Sequence, residues 1–453
     1  MAMKAYESYK NVDLPWLKRV PEHWEITSLA RVVKEQKIKK PKGERFQVLS
    51  LSYGKIIKKK DINFGLVPKD YDNYQLLHPG NIVLRFTDLQ NDHKSLRTGL
   101  VTQQGIITSA YVCIDPIENP AYIHYLLHHY DTIKLFYGMG NGIRQSIGYK
   151  DISDVRIPVP PKEEQDQIVR YLDWQNSRLN KLINAKKREI ALLEEQKQAL
   201  ISQAVTKGLD PHAPLKDSGI DWIGQIPEHW EMSYSKKLFN ERKDKAFPAD
   251  IQLTSSQKYG IVSQKEFMEK EGRRVTVVLT GSDILKHVGR GDFVISMRSF
   301  QGGLEYSTVE GKISSAYVML IPRSNLVYDN YFKWLFKSAC YIRALQSTSD
   351  LVRDGQALRY VNFLKIYLPI VPLNEQKQIA DFIDIKTQKL TNVIEKISNK
   401  ISLLQEYRTR LVADVVTGQI NVRHIAIPNY ETITETIDQP EADEDSTICT
   451  EDQ

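Results

Sequence analysis

Two stretches of the chain place an apolar residue at every seventh position, with charged residues between. Leu172, Leu179, Lys186, Leu193 and Leu200 make the first row, flanked by Ile168, Ile183 and Ile190. Ile383, Leu390, Ile397, Leu404 and Leu411 make the second, flanked by Ile379, Ile394 and Ile401. This spacing predicts coiled-coil helices of about 40 residues, roughly 60 Å long. Each is preceded by a helix-start signal, Pro160-Pro161-Lys162-Glu163-Glu164-Gln165 and Pro372-Leu373-Asn374-Glu375-Gln376. Proline suits the first helical position, and carboxylates there meet unpaired amides and the positive end of the helix dipole. Ahead of each helix the pattern shortens to β-like runs. These are Phe46–Ser50, Asn81–Leu84 and Ala110–Ile114, then Arg274–Leu279, Asp292–Ile295 and Ala316–Leu320. Helical stretches near Ala121–Tyr137 and Asn330–Ser347 complete two α+β units, with Gly80 and Gly291 in turns before equivalent strands.

The two units are one unit written twice. Pro21-Glu22-His23-Trp24-Glu25 returns as Pro227-Glu228-His229-Trp230-Glu231, 206 positions later. At that offset Trp16 matches Trp222, Tyr53-Gly54 matches Tyr259-Gly260, and Ser109-Ala110-Tyr111-Val112 matches Ser315-Ala316-Tyr317-Val318. The offset then becomes 211, where Pro158, Pro161, Glu164-Gln165 and Ile168 meet Pro369, Pro372, Glu375-Gln376 and Ile379. A period this long decides the architecture, and two copies are expected about a pseudo-twofold axis. Helix one leaves the first unit and arrives at the second; helix two returns. The pair is therefore expected to be antiparallel, the competing arrangement being two separate dimerisation arms. Lys186 is expected at the edge of the seam, its ammonium reaching out to water. The expected segments are 1–160 for the first unit with an N-terminal arm, 161–207 for its helix and 208–226 for a linker. The second unit is expected over 227–371, its helix over 372–418, and a C-terminal segment over 419–453.

Composition then narrows the partners. Apolar residues make up 41% and charged residues 26% of 453 positions, which describes two or three globular domains. No apolar run reaches membrane-spanning length and no signal-peptide pattern opens the chain, so no membrane partner is expected. Cys113, Cys340 and Cys449 form no CxxC, so neither a disulfide framework nor a zinc site is expected, and a reducing cytoplasm is the default. From Pro428 to Gln453 there are nine acidic residues and no Lys or Arg; setting these aside from a net +6 leaves +15 for residues 1–427. The terminal stretch reads as a disordered tail, and the basic body points to a polyanion, nucleic acid first.

The units agree at their edges and differ inside. Lys55–Pro79 and Ile261–Arg290 share almost nothing, and Arg85-Phe86-Thr87-Asp88-Leu89-Gln90 stands where the second copy has Arg298-Ser299-Phe300-Gln301-Gly302-Gly303. Arg, Gln, Ser and Thr suit base edges and Lys suits phosphates, so candidate contacts are Lys58, Lys59, Lys60, Arg85, Thr87, Gln90, Arg298, Ser299 and Gln301. Neutral loop drift is the competing explanation. Arg144 with Gln145, and Arg353 with Gln356, serve either phosphate or the turn before the last strand. Gly138-Met139-Gly140-Asn141-Gly142 resembles a phosphate-cradling loop, but Thr348-Ser349-Asp350-Leu351-Val352 replaces it in the second copy. Trp24 and Trp230 read as packing anchors. His23 and His229 have no second ligand or nucleophile near them in sequence.

These residues together closely resemble the specificity subunit of type I restriction–modification enzymes. The resemblance rests on the doubled Pro-Glu-His-Trp-Glu, then Ile157-Pro158-Val159-Pro160-Pro161-Lys162-Glu163-Glu164-Gln165 and a heptad helix, and covers the chain to about residue 420. It implies an α+β fold with two internally repeated target-recognition domains separated by two long antiparallel coiled-coil helices. It also implies a bipartite, asymmetric double-stranded DNA target. Two methyltransferase (modification) subunits would dock on the helices, and restriction (translocase–nuclease) subunits would join them. The repeated positions are carried over as scaffold and subunit contact. A catalytic role is the rival. Asn119-Pro120-Ala121-Tyr122 resembles an amino-methyltransferase motif, yet no Gly-rich methyl-donor turn precedes it and Asp329-Asn330-Tyr331 replaces it, where Asn330 fits a helix N-cap. No GxxxxGK[ST], HExxH or GxSxG occurs, so no catalytic residue, cofactor or metal is expected. A self-sufficient methyltransferase and a coiled-coil scaffold without DNA binding are the alternatives.

Overall fold

The computed structural model describes residues 4–59, 71–87, 96–139, 147–272, 284–296, 299–348 and 359–436. The chain divides into two units, Met1–Lys187 with Asn399–Gln453, and Arg188–Ser398.

In the first unit the strands are β1 (Tyr9–Leu14), β2 (Leu17–Pro21), β3 (Glu25–Ser28), β4 (Val33–Gln36), β5 (Leu49–Ser52), β6 (Lys55–Lys58), β7 (Gln75–Leu77), β8 (Ile82–Leu84), β9 (Thr98–Leu100), β10 (Gly105–Ile107), β11 (Val112–Pro116) and β12 (Arg156–Val159). A four-stranded sheet has the order β4-β11-β8-β9, and β3 pairs antiparallel with β12. Helix α1 (Pro120–Thr132) packs Tyr122, Ile123, Leu126 and Leu127 into the core. The second unit repeats this topology. Its sheet runs Phe239–Arg242, Val318–Pro322, Phe293–Ile295, Glu305–Tyr306 in the same order, and Glu231–Tyr234 pairs with Tyr367–Ile370. Gly80 and Gly291 precede equivalent strands at φ +99° and +94°, and their amides reach Val101 and Ser307 carbonyls.

The two long helices span Lys162–Lys207 and Leu373–Val416. In the first unit Ile168, Tyr171 and Leu172 from the start of the first helix share a core with Leu411, Val412, Val415 and Val416 from the end of the second. In the second unit Ile201, Ala204 and Val205 from the end of the first helix meet Ile379, Ala380 and Ile383 from the start of the second. Within each unit the helices therefore run antiparallel. Leu172, Leu179, Ile183, Ile383, Ile397 and Leu411 are buried, whereas Leu193, Leu200, Leu390, Leu404 and Lys186 are half-buried.

Several expectations need correction. The helix expected over Asn330–Ser347 breaks into Asp329–Lys337 and Ala339–Ser347, because Ser338 turns extended and its hydroxyl caps the second piece at the Tyr341 amide. Asn330 is not the N-cap. Tyr328 holds that position with its amide donating to Gln376 Oε1 at 2.7 Å, while Asn330 lies in the first turn and accepts from Lys333. The strand expected at Phe46–Ser50 begins only at Leu49, and Arg274–Leu279 lies outside the described residues. From Pro428 to Thr436 the acidic stretch is not free: it runs extended beside the first long helix, with Ser177, Asn180, Asn184 and Lys187 bonding its backbone. Residues 437–453 lie outside the described residues.

Candidate nucleic-acid interface

The doubled motif explains what holds each unit to its helices. Trp24 is fully buried, its indole N–H donating to Glu164 Oε1 at 3.1 Å, and His23 Nε2 donates to Glu164 Oε2 at 2.7 Å. In the second unit Trp230 and His229 converge on Glu375 Oε2 at 3.1 and 2.8 Å. Both glutamates sit in the first helical turn, the place anticipated for a carboxylate against exposed amides. Each knot also takes in the end of the other long helix. Gly418, at φ +73°, lies so close to Pro21 and Trp24 that an added Cβ would stand 2.4 Å from the Pro21 ring. Gly208, also at φ +73°, lies against Glu375 and Trp230. Gln165 and Gln376 close the same turns by donating to the Pro160 and Val371 carbonyls. Trp24, Trp230 and their glutamate partners are thus engaged by the fold itself. Asn119 is likewise engaged: its side chain caps α1 at the Tyr122 amide, 3.1 Å away.

The surfaces that differ lie on the sheets. In the first unit β5 and β6 join through Tyr53-Gly54, both at positive φ (46° and 75°), the two-residue turn whose twist matches the strands. Beyond it Lys58 stands exposed and Lys59 half-exposed. They border a cavity of about 730 Å³ lined also by Tyr71, Tyr74, Tyr111, Gln103 and Thr108. Tyr71 and Tyr74 meet edge to face, ring centres 4.9 Å apart. Tyrosine hydroxyls beside lysines form a surface able to hydrogen-bond base edges and contact phosphate. In the second unit the corresponding hairpin, Leu253–Ser256 with Gly260–Ser263, has a three-residue loop and runs into a helix, Gln264–Glu271. Lys258 and Lys270 flank the Tyr259 ring at 4.8 and 4.9 Å. Nearby, His287 bonds Asp250 at 2.9 Å and meets Phe247 edge-on. One job is kept across the copies with a changed residue: Gln75 and Lys286 each donate to the carbonyl of the repeated tyrosine, Tyr111 or Tyr317.

Of the expected contacts, the structure brings Lys58 and Lys59 together on that cavity. Arg85 and Thr87 are half-buried in a turn whose carbonyls both accept from the guanidinium of fully buried Arg97, at 3.1 and 2.8 Å. Ser299 is buried and its hydroxyl accepts from the Ser296 amide; Gln301 is exposed. Lys60, Gln90, Arg144, Gln145, Arg298, Arg353 and Gln356 lie outside the described residues. Sequence reading did not single out Tyr71, Tyr74, Gln103 or Thr108; Tyr71 and Tyr74 lie in the divergent span Lys55–Pro79, and Gln103 and Thr108 carried no signal. Among the described residues no group of three or more metal-ligating side chains gathers. Leu182, Leu192, Ile385, Val393 and Leu403 stand exposed on the long helices.

Replacing Lys58 and Lys59 by alanine is expected to weaken binding to every DNA sequence. The slope of log affinity against log salt should fall by about 2, near 0.9 for each phosphate no longer neutralised. Unchanged slope with altered base preference would instead make these lysines readers.

Helix α1 carries His124, His128 and His129, whose pKa values burial pushes down to about 3, about 4 and about 4, with Arg408 adding to the effect at His128. The folded state therefore keeps these rings neutral, while the unfolded chain takes up protons near pH 6.5. Stability contributed by their burial is complete above that pH and falls as pH drops towards 4, by about 1.4 kcal/mol per pH unit for each proton. Denaturation midpoints measured from pH 7.5 to 4.5 check this, and replacing all three by glutamine should flatten the curve.

The family model for the type I restriction modification DNA specificity domain matches residues 72–192 and 227–403. The chain belongs to this family. It is 24% identical over 434 residues to the type I restriction enzyme MjaVIII specificity subunit of Methanocaldococcus jannaschii, covering 90% of this chain and 95% of that one. It is 28% identical over 319 residues to the putative MjaX specificity subunit of the same organism, covering 67% and 69%. The fold is similar to that of a chain solved in a study of complex assembly and conformational transition of the type I R-M system. That match has a TM-score of 0.60 at 15% identity and covers 88% of this chain and 99% of that one. No helix among the described residues is long and apolar enough to cross a membrane.

Proposed function

We propose that this chain is the DNA-recognition subunit of a type I restriction–modification complex. It reads a two-part, asymmetric target and leaves chemistry to other subunits. One observation carries the reading: a single scaffold occurs twice, with its doubled Trp and His bound into the knots around Glu164 and Glu375, while the sheet surfaces carry unlike residues, Lys58, Lys59, Tyr71 and Tyr74 in one copy and Lys258, Lys270 and His287 in the other. A duplicated scaffold with unlike surfaces supports two unlike half-sites. Each unit enters a major groove, with centres about one helical turn apart and the intervening base pairs unread. The exposed leucine, isoleucine and valine side chains along the long helices support docking of modification subunits there, with restriction subunits joining that core.

Methylome sequencing of cells expressing the chain with its modification subunit tests this. The expected product is one bipartite, non-palindromic methylated motif, absent when either chain is omitted. Methylation by this chain alone would favour the self-sufficient enzyme, and a complex that protects no DNA would favour the scaffold.

A further inference from the structure

The strap Pro428–Thr436 sits in a groove that reads its backbone. Ser177 Oγ donates to the Glu431 carbonyl and accepts from the Ile433 amide at 2.9 Å. Asn180 Nδ2 donates to the Ile433 carbonyl at 2.8 Å, and Asn184 bonds both the Thr434 carbonyl and the Thr436 amide at 2.9 Å. Lys187 Nζ donates to the Thr436 carbonyl at 2.7 Å. These residues recur at intervals of three or four, so they share one face of the helix. One strap side chain is recognised as a charge: Glu435 accepts from Arg408 Nη1 at 2.8 Å and Gln405 Nε2 at 3.1 Å, with Lys187 Nζ 3.7 Å away. The groove thus selects an extended segment with one carboxylate and imposes little else on its sequence.

Three observations mark this strap as replaceable. Every residue from Pro428 to Thr436 is exposed except Ile433 and Glu435, so little apolar area holds it down. It also underfills its site. A cavity of about 590 Å³ remains beside Glu435, Asn180 and Arg408, and the Nδ1 atoms of His124 and His128 in its wall are buried without a hydrogen-bond partner. Finally, the ladder belongs to the first copy alone: 211 positions on, Gln388, Thr391, Glu395 and Ser398 stand in place of Ser177, Asn180, Asn184 and Lys187. There Lys197, the counterpart of Arg408, reaches across to Thr391 at 3.2 Å.

We propose that this groove is a docking site for an extended, carboxylate-bearing segment of the modification subunit, and that the strap fills it in cis until that segment displaces it. The proposal rests on the helix pair being the docking surface. Charge complementarity at Arg408, Gln405 and Lys187 and the backbone-reading ladder define what the segment must offer. Its consequence is inequivalent docking: the first unit accepts its partner by exchange, and the second without one.

The test uses a chain ending at Ile427, a fluorescent peptide spanning Pro428–Thr436 and the purified modification subunit. The peptide should bind the shortened chain saturably and the full-length chain at least tenfold more weakly. Arg408→Ala in the shortened chain should reduce peptide affinity at least tenfold. The modification subunit should release the peptide. A peptide that ignores the shortened chain overturns the proposal, as does simultaneous binding of peptide and subunit. Full-length Glu435→Gln, which keeps the whole chain, should bind the modification subunit several-fold more tightly, and unchanged affinity there also overturns it. A modification subunit that binds neither chain removes the docking reading and this proposal with it, and a peptide still captured by the shortened chain identifies that as the failure.

Discussion

Trp24→Ala should destabilise the first unit by about 3–5 kcal/mol, and Trp230→Ala the second by a similar amount. Each indole is fully buried and donates to a helix-start glutamate that also accepts from the neighbouring histidine. Truncation removes a large apolar volume and leaves a carboxylate, buried at Glu164 and half-buried at Glu375, short of a donor. Because Pro21 and Trp24 also receive the end of the second long helix at Gly418, the loss should spread to both helix ends in that unit. Hydrogen exchange along the chain reads this directly. Amides of Lys162–Tyr171 and Leu411–Val416 should lose protection in the Trp24 variant while Ile201–Val205 keep theirs. Trp24→Phe should fall between, retaining packing and losing the N–H. A Trp24→Ala chain with unaltered protection at Leu411–Val416 would show that the knot does not hold the helix there.

The long-range plan was legible because its signals were repeated. A heptad row survives reading in isolation, and its second occurrence 211 positions later pointed to two like helices. Pairing direction followed from connectivity. Some short strands were not legible: β7, β9 and β10 have three residues each, too few for a period to emerge, whereas β8 showed as the apolar run Asn81–Leu84. The partner of His23 was hidden for a different reason. Glu164 is 141 positions away, and the only hint was that Glu164-Gln165 repeats alongside the motif it serves. The binding surface was the least legible part. Tyr71 and Tyr74 approach Lys58 and Lys59 through sheet topology, which no local pattern encodes. Ser299 fits base edges by its type, yet it is buried, which the sequence did not signal. The strap was misread for a compositional reason: acidic, polar sequence cannot form a core, but it can lie on one whose side chains bond its backbone.

If two unlike readers are spaced by a helix pair, lengthening both helices must lengthen the gap between the half-sites. The first long helix begins in the first unit and ends in the second, and the second long helix does the reverse. Inserting four helix-forming residues after Lys187 and four after Ser398 adds about one turn, roughly 6 Å, to both. Methylome mapping of cells carrying this variant with its modification subunit should show both half-sites retained and the unread spacer longer by about 2 base pairs. An unchanged spacer with altered half-sites would contradict the spacing role of the helices.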